Sequence, residues 1–282
     1  MTAQLNLKWG ISTLGCHELS LEALCALAES REVQALELRS LEGRMDLPAY
    51  FDEVFRTPGA VQAVLDKHHQ QIISLNSSFK LIGSEEKDRA ELLEFALWAE
   101  ALNVPYIRVF GGIPSMDVPC SDADIKTAVE SMVWWQEIRE KKGWKTDLAM
   151  ETHSGFSCGE RCRRLEQALS VPLNLIWDTH HTWKLGKESA RETWDQISHM
   201  VRYIQVKDSI PVPSAKHPYT YVLPGAGGFP IQDVFAILKE IHYQGIVSLE
   251  WERQWHPALP PLEQALDALV SNGWKRPLST KK

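Results

Sequence analysis

The sequence predicts an α/β fold, a single (β/α)8 TIM barrel filling residues 1–282. Three observations carry this prediction. Strand-like and helix-like stretches alternate about eight times, no linker or low-complexity segment divides them, and the length suits one barrel of that kind. A doubly wound sheet is the runner-up. It calls for G-x-G-x-x-G after the first strand, and "GISTLGC" is a poor match.

The elements follow in order. "LKWGIST" reads as the first strand, and "SLEALCALAES" sets apolar residues at helical spacing. "VQALELRSL" is the second strand. The helical stretch "YFDEVFRTPGAVQAVLDKHH" breaks at Pro58, because proline lacks the N–H a helix interior needs. "QIISLNSS" is the third strand, before the helix "EEKDRAELLEFALWAEAL". "YIRVFGG" is the fourth, and the helix in "SDADIKTAVESMVWWQEIREK" opens on Ser and Asp residues suited to capping. "DLAMETH" with "GERCRRLEQALS", "LNLIWDTH" with "ARETWDQISHM", "VRYIQVKDS" with "PIQDVFAILKEIHY", and "GIVSLEWE" with "PLEQALDALVS" complete the eight units. The longest connection, "SIPVPSAKHPYTYVLPGAGGFP", follows the seventh strand and suggests a lid. In it Gly225, Gly227 and Gly228 precede Pro230, which suits the first position of a helix. That stretch reads either as a plain turn or as the phosphate site TIM barrels often build there.

Composition narrows the function classes. The chain is 44% hydrophobic and 24% charged, as expected of a globular protein. No apolar run approaches the ~20 residues of a membrane span, and "MTAQLNLKWG" lacks a basic-then-apolar secretory pattern. A cytoplasmic protein without a membrane partner is expected. The net charge of -7 gives no support to a nucleic-acid partner. Five cysteines without a CxxC pair argue against a disulfide framework or structural zinc. Cys158 and Cys162, four apart, are expected to share a helix face.

The polar residues gather at strand ends, where a TIM barrel keeps its chemistry. Glu151 and His153 end "METH", Asp178 and His180 sit in "WDTHH", Gln205 and Lys207 in "IQVKD", Glu250 and Glu252 in "LEWE". Residues two apart share a face of a strand. Each strand therefore offers one deep group and one nearer the rim, and the deep set is Glu151, Asp178, Gln205 and Glu250. Three carboxylates converging in a dry barrel repel one another, and a divalent cation is the usual remedy. All four side chains present oxygen, which suits Mg²⁺ or Mn²⁺ better than zinc.

In this order "METH", "WDTHH", "IQVKDS" and "VSLEWE", with "LELRS" on strand two and "YIRVFGG" on strand four, resemble the xylose isomerase-like TIM barrels over nearly the whole chain. That superfamily holds sugar and sugar-phosphate isomerases and epimerases, inosose dehydratases, hydroxypyruvate isomerases and an apurinic endonuclease branch. The resemblance implies one metal held by Glu, Asp, His and Glu from strands five to eight, which map onto Glu151, Asp178, Gln205 and Glu250. Its Asp-x-x-His pattern implies His181 as a substrate contact. Gln205 departs from the usual His. A Gln ligand is similar to that of the hydroxypyruvate isomerase branch, and it implies a harder metal or weaker binding. Relatives often carry an acid near Ala226, so chemistry at the lid is expected to differ. The endonuclease branch needs several metals, extra histidines and a basic groove, which this acidic chain does not offer.

Further candidates surround this set. Lys207 could place an ammonium beside a substrate oxygen, or pair with Glu252 or Asp208. His153 could bond a sugar hydroxyl. Arg39 and Arg108 end strands on the opposite half of the mouth, and could clamp a carboxylate or phosphate. Arg108 could instead orient Glu151. Asn76 is a substrate-contact candidate, Trp9 and Trp255 are wall or core residues, and His256 is expected at the surface. The expected activity is a metal-dependent isomerase or epimerase of a small sugar, sugar phosphate or hydroxy-keto compound. Glu151 and Glu250 would move a proton through an enediolate, aided by Lys207. A dehydratase or C-glycoside-cleaving relative on the same site, or a non-catalytic sugar-binding barrel, are the alternatives. One divalent metal is implied, Mg²⁺ or Mn²⁺ first, with Co²⁺ and Zn²⁺ open; a homo-oligomer is one open arrangement, and the sequence does not set the oligomeric state.

Overall fold

A computed structural model describes residues 7–277. Seven parallel strands come first: β1 (Lys8–Ser12), β2 (Ala35–Leu38), β3 (Gln71–Lys80), β4 (Tyr106–Phe110), β5 (Asp147–Glu151), β6 (Leu175–Asp178) and β7 (Val201–Val206). A short antiparallel pair follows, β8 (Asp208–Ile210) and β9 (Thr220–Val222), and then β10 (Ile246–Leu249) returns to the main sheet. There β10 slots between β7 and β1, and β1 pairs β2, so eight parallel strands close into the expected barrel.

Ten α-helices cover it: α1 (Leu21–Ser30), α2 (Leu47–Val54), α3 (Pro58–Lys67), α4 (Glu86–Ala101), α5 (Asp122–Lys142), α6 (Gly159–Ala168), α7 (Thr179–Lys184), α8 (Ala190–Ile197), α9 (Ile231–Glu240) and α10 (Leu262–Ser271). Local chemistry sets their ends. Pro58 splits the second helical stretch, with Thr57 capping α3. Ser121 and Asp124 form a capping box on α5, and Ser189 and Glu192 form one on α8. Pro230, expected at the first position of α9, instead stands one residue outside it at the N-cap, with no side-chain hydrogen bond. Cys158 stands at the N-cap of α6 and Cys162 lies buried within it, and all five cysteines are free. Among the described residues no helix is long and apolar enough to cross a membrane.

Two apolar layers flank the strands. The outer one packs helices on the barrel through residues such as Trp135, Trp177 and Trp251, and Trp9 belongs to it. The inner one is a plug of Ala35, Ile73, Ala149, Ile176 and Tyr203, one from each of five strands. Two residues further along four of those strands stand Glu37, Glu151, Asp178 and Gln205, all buried; on β3 that place is Leu75 of the outer layer. The strand period of two thus sets a polar layer directly above an apolar one, toward the C-terminal mouth.

Candidate functional site

Glu151 ends β5, Asp178 ends β6, Gln205 lies in β7 and Glu250 follows β10. Asp178 faces Gln205 in register across β6 and β7, and Gln205 faces Ser248 across β7 and β10. One carboxylate oxygen from each of Glu151, Asp178 and Glu250 comes within 4.8 Å of the others. Burial, and then the neighbouring charge of Glu250, hold the Glu151 carboxyl well above its ordinary range. Burial also raises Asp178 and Glu250, against the pull of Lys207. Gln205 Oε1 is buried without a hydrogen-bond partner. A second group of ligating type, Glu151, His153 and His181, overlaps the first.

Lys207 is enclosed. Its Nζ lies 2.8 Å from Asp178 Oδ2 and 2.8 Å from Glu252 Oε1, and it pairs with Glu250 Oε2. Burial alone would lower this ammonium, but Asp178, Glu250 and Glu252 outweigh it and hold the pKa well above the ordinary value. Of the two readings of Lys207, the geometry matches the pairing with Glu252. Its three directions are taken by carboxylates, and it does not line the cavity. Asp208, the other expected partner, is engaged elsewhere.

Beneath the cluster lies a residue the strand-end argument missed. Glu37 Oε2 accepts from Tyr203 Oη at 2.7 Å, Gln205 Nε2 at 2.9 Å and Asn76 Nδ2 at 3.5 Å. Gln205 Nε2 also donates to Glu250 Oε1 at 3.3 Å. Flipping the amide would set its oxygen against two carboxylates, so Glu37 and Glu250 together fix which end of Gln205 is the donor. The available signal was an acid inside the apolar strand "ALEL". Asn76, expected at the substrate, instead holds Ser74 and Glu37 within this floor and is not on the cavity wall.

The "WDTHH" pairing by twos fails at its second member. The strand ends at Asp178, whose side chain caps α7, so the next residues follow helical geometry. His180 turns away from the cavity, its Nε2 2.8 Å from Ser209 Oγ, among Trp183, Tyr219, Tyr221 and Phe229. His181 takes the inward place. Its Nδ1 lies 3.1 Å from Asp178 Oδ2 and 3.2 Å from the Thr152 carbonyl, both acceptors, so Nδ1 carries the hydrogen and Nε2 is the acceptor. Burial and then the Lys207 charge push His181 well below the usual imidazole range, which keeps it neutral. His153, pushed down to about 3 by burial and the same charge, meets Ser154 Oγ at 2.7 Å and lines the cavity.

The expected lid is a built hairpin. Tyr221 on β9 and Tyr219 just before it stand in the cavity wall, and Tyr221 Oη donates to Glu252 Oε1 at 3.5 Å. His256, expected at the surface, and Trp255 also line the cavity. The glycine stretch serves the protein itself. The Asp208 carboxylate accepts from the backbone N–H groups of Ser209, Gly225, Gly227 and Phe229 at 2.8–2.9 Å. A Cβ on Gly227 would lie 2.2 Å from Asp208 Oδ1, and Gly225 has φ +83°. The phosphate reading of this stretch is thus corrected: a side-chain carboxylate holds those amides. Asp208→Ala would strand the buried N–H groups of Ser209 and Phe229 at about 1–3 kcal/mol each, while water can reach the exposed glycine amides. It should lower the melting temperature by several degrees and speed proteolysis between residues 210 and 220. Unchanged cleavage there would show that Asp208 does not hold the hairpin.

The cavity encloses about 650 Å³. Glu151, His153, His181 and Glu250 line it, and so do Arg39 and Arg108. Arg108 Nη1 lies 3.6 Å from Glu151 Oε2, an ion pair rather than a hydrogen bond.

A search of curated proteins finds no match. Solved structures share the fold. The "probable 3-DHS dehydratase AsbF" from Bacillus anthracis aligns at 16% identity and TM-score 0.75, over 96% of this chain and all of that one. The IOLI protein, solved with a zinc atom, aligns at 18% and 0.73, over 94% and 96%. The 3-keto-D-glucoside 4-epimerase YcjR from E. coli aligns at 14% and 0.73, over 96% and 100%. The xylose isomerase-like TIM barrel family matches residues 25–271, and with the closed barrel just described, the chain belongs to that family.

Proposed function

We propose that the protein is a metal-dependent isomerase or epimerase of a small sugar or hydroxy-keto compound, working by proton transfer beside a carbonyl. The observation that carries this reading is the convergence of the Glu151, Asp178 and Glu250 oxygens next to the unpartnered Oε1 of Gln205. Buried carboxylates brought together at such a distance fit a cation, and an all-oxygen set fits Mg²⁺ or Mn²⁺. Those four residues would hold it. A bound divalent ion draws charge from a carbonyl and its neighbouring hydroxyl and so acidifies the adjoining C–H.

The chain's own groups do the rest. Glu151 and Glu250 both line the cavity and are the groups placed to take and return a proton. Lys207 orients Glu250. His181 offers Nε2 to a substrate hydroxyl, and the hairpin tyrosines limit water. Work on one face of the substrate moves the carbonyl; work on opposite faces epimerises. The fold neighbours AsbF and YcjR bear names of a dehydratase and an epimerase. Both chemistries begin with loss of a proton beside a carbonyl, so the first step is what the test should read.

The protein, Mn²⁺ and a ketose panel are incubated in D₂O. Deuterium is expected at the carbon beside the carbonyl. Turnover without deuterium points to a hydride shift, and tight sugar binding with no exchange favours a binding protein. Gln205→His should keep an ion but shift preference toward Co²⁺ or Zn²⁺, since imidazole is the softer ligand. An unchanged preference would remove Gln205 from the donor set.

A further inference from the structure

Two guanidinium groups stand buried in the cavity wall, Arg108 on β4 beside the Glu151 strand and Arg39 just after β2. Arg108 is 3% exposed and Arg39 is 7% exposed. Arg39 donates through Nη1 to the Asn76 carbonyl at 2.8 Å and through Nη2 to Ser78 Oγ at 2.7 Å, both neutral groups. Arg108 starts opposite Asn76 in the β3–β4 register, so both side chains belong to the same end of β3. The Phe110 ring lies 3.9 Å below the Arg108 guanidinium. Arg108 Nε and Nη1 are buried without a hydrogen-bond partner.

The local balance of charge is incomplete. Glu151 is the carboxylate that pairs with Arg108, at 3.6 Å, and it is also one of the groups proposed to hold a metal. A carboxylate shared with a divalent ion has little charge left for Arg108. Burying guanidinium groups without an anion is costly, and bidentate oxyanions are their usual partners. The other place a TIM barrel offers an oxyanion, the loop after β7, is filled by Asp208. Both arginines line the cavity, so a ligand in it can reach them.

We propose that Arg39 and Arg108 form an oxyanion subsite, and that the substrate is a small acid whose carboxylate or phosphate ester lies between them. This rests on reading the cavity as the reaction site. It divides the cavity by chemistry: the hydroxy-keto end of the substrate faces Glu151 and Glu250, and its acid end faces β2 and β4. A neutral sugar leaves the arginines unsatisfied.

The test is a ligand-observed NMR titration of the full-length protein after chelator treatment, so that no metal can hold the acid. The probes are D-glycerate, glycerol 3-phosphate and glycerol, which differ in the acid group. At least one acid should bind about 10-fold or more tighter than glycerol, the usual worth of a hydrogen bond to a charged group. Tighter glycerate binding assigns a carboxylate, and tighter glycerol 3-phosphate binding assigns a phosphate ester. Arg108→Met and Arg39→Met should each lose most of that preference, and Arg108→Lys should keep part of it. Equal binding of all three probes to wild type overturns the proposal even if a variant fails to fold. So does acid preference that survives both Met substitutions. Mn²⁺ titration of the same samples reads the metal separately. Acid preference without Mn²⁺ binding keeps the subsite and sinks the metal-dependent reading; Mn²⁺ binding without acid preference does the reverse.

Discussion

Lys207→Met is expected to lower the melting temperature of the metal-free protein by about 6–20 °C. The ammonium is 1% exposed and serves Asp178, Glu250 and Glu252 together. Removing one partner of a buried ionic cluster costs about 3–5 kcal/mol, and each kcal/mol shifts the midpoint of a domain this large by about 2–4 °C. The loss should depend on pH in a defined direction. Without Lys207 the folded carboxyls rise still further above their unfolded values. A folded group with a raised pKa binds its proton more tightly than the unfolded chain does. Stability therefore falls as pH rises past about 4, where unfolded carboxylates ionise. The gap between variant and wild type should widen from pH 4 toward neutrality. Added Mn²⁺ should recover more stability in the variant than in wild type, because a divalent ion replaces the missing positive charge. Calorimetry with chelator and with Mn²⁺ reads all three effects. Equal stabilisation of both proteins by Mn²⁺ would separate Lys207 from the metal-binding carboxylates.

Glu250→Gln should slow solvent exchange by on the order of 10² to 10⁴, the usual worth of a positioned acid or base. The amide keeps the shape but cannot carry the proton. The fold should survive, because Lys207 keeps Asp178 and Glu252 as partners. Affinity for Mn²⁺ should fall at the same time, since one hard anionic donor is lost. Exchange must therefore be compared at saturating Mn²⁺. Exchange that continues at the wild-type rate under that condition would assign the proton to Glu151 alone or to a group outside the pair.

Much of this was legible in the chain. Alternation of apolar strand and amphipathic helix required a parallel sheet with helices outside, and eight repeats with no glycine fingerprint favoured closure. The spacing of polar groups after apolar runs marked Glu151, Asp178, Gln205 and Glu250, because a strand's period of two is a local property. That rule stops where the strand stops. At "WDTHH" the chain enters α7 immediately after Asp178, so His181 rather than His180 turns inward.

The sequence by itself therefore determined which strands build the barrel and that acids gather at one mouth, but not the β8–β9 hairpin. These follow from local periodicity and composition. Only the tertiary structure decided how the charges pair. Lys207 surrounded by three carboxylates, Glu37 holding the Gln205 amide, Asp208 filling the glycine loop and Arg108 left without a full partner all join residues from different strands and loops. The physical reason is that electrostatic pairing depends on distance in space and on burial. Closure of the barrel sets both, by bringing residues as far apart as Glu37 and Gln205 to 2.9 Å in the buried interior.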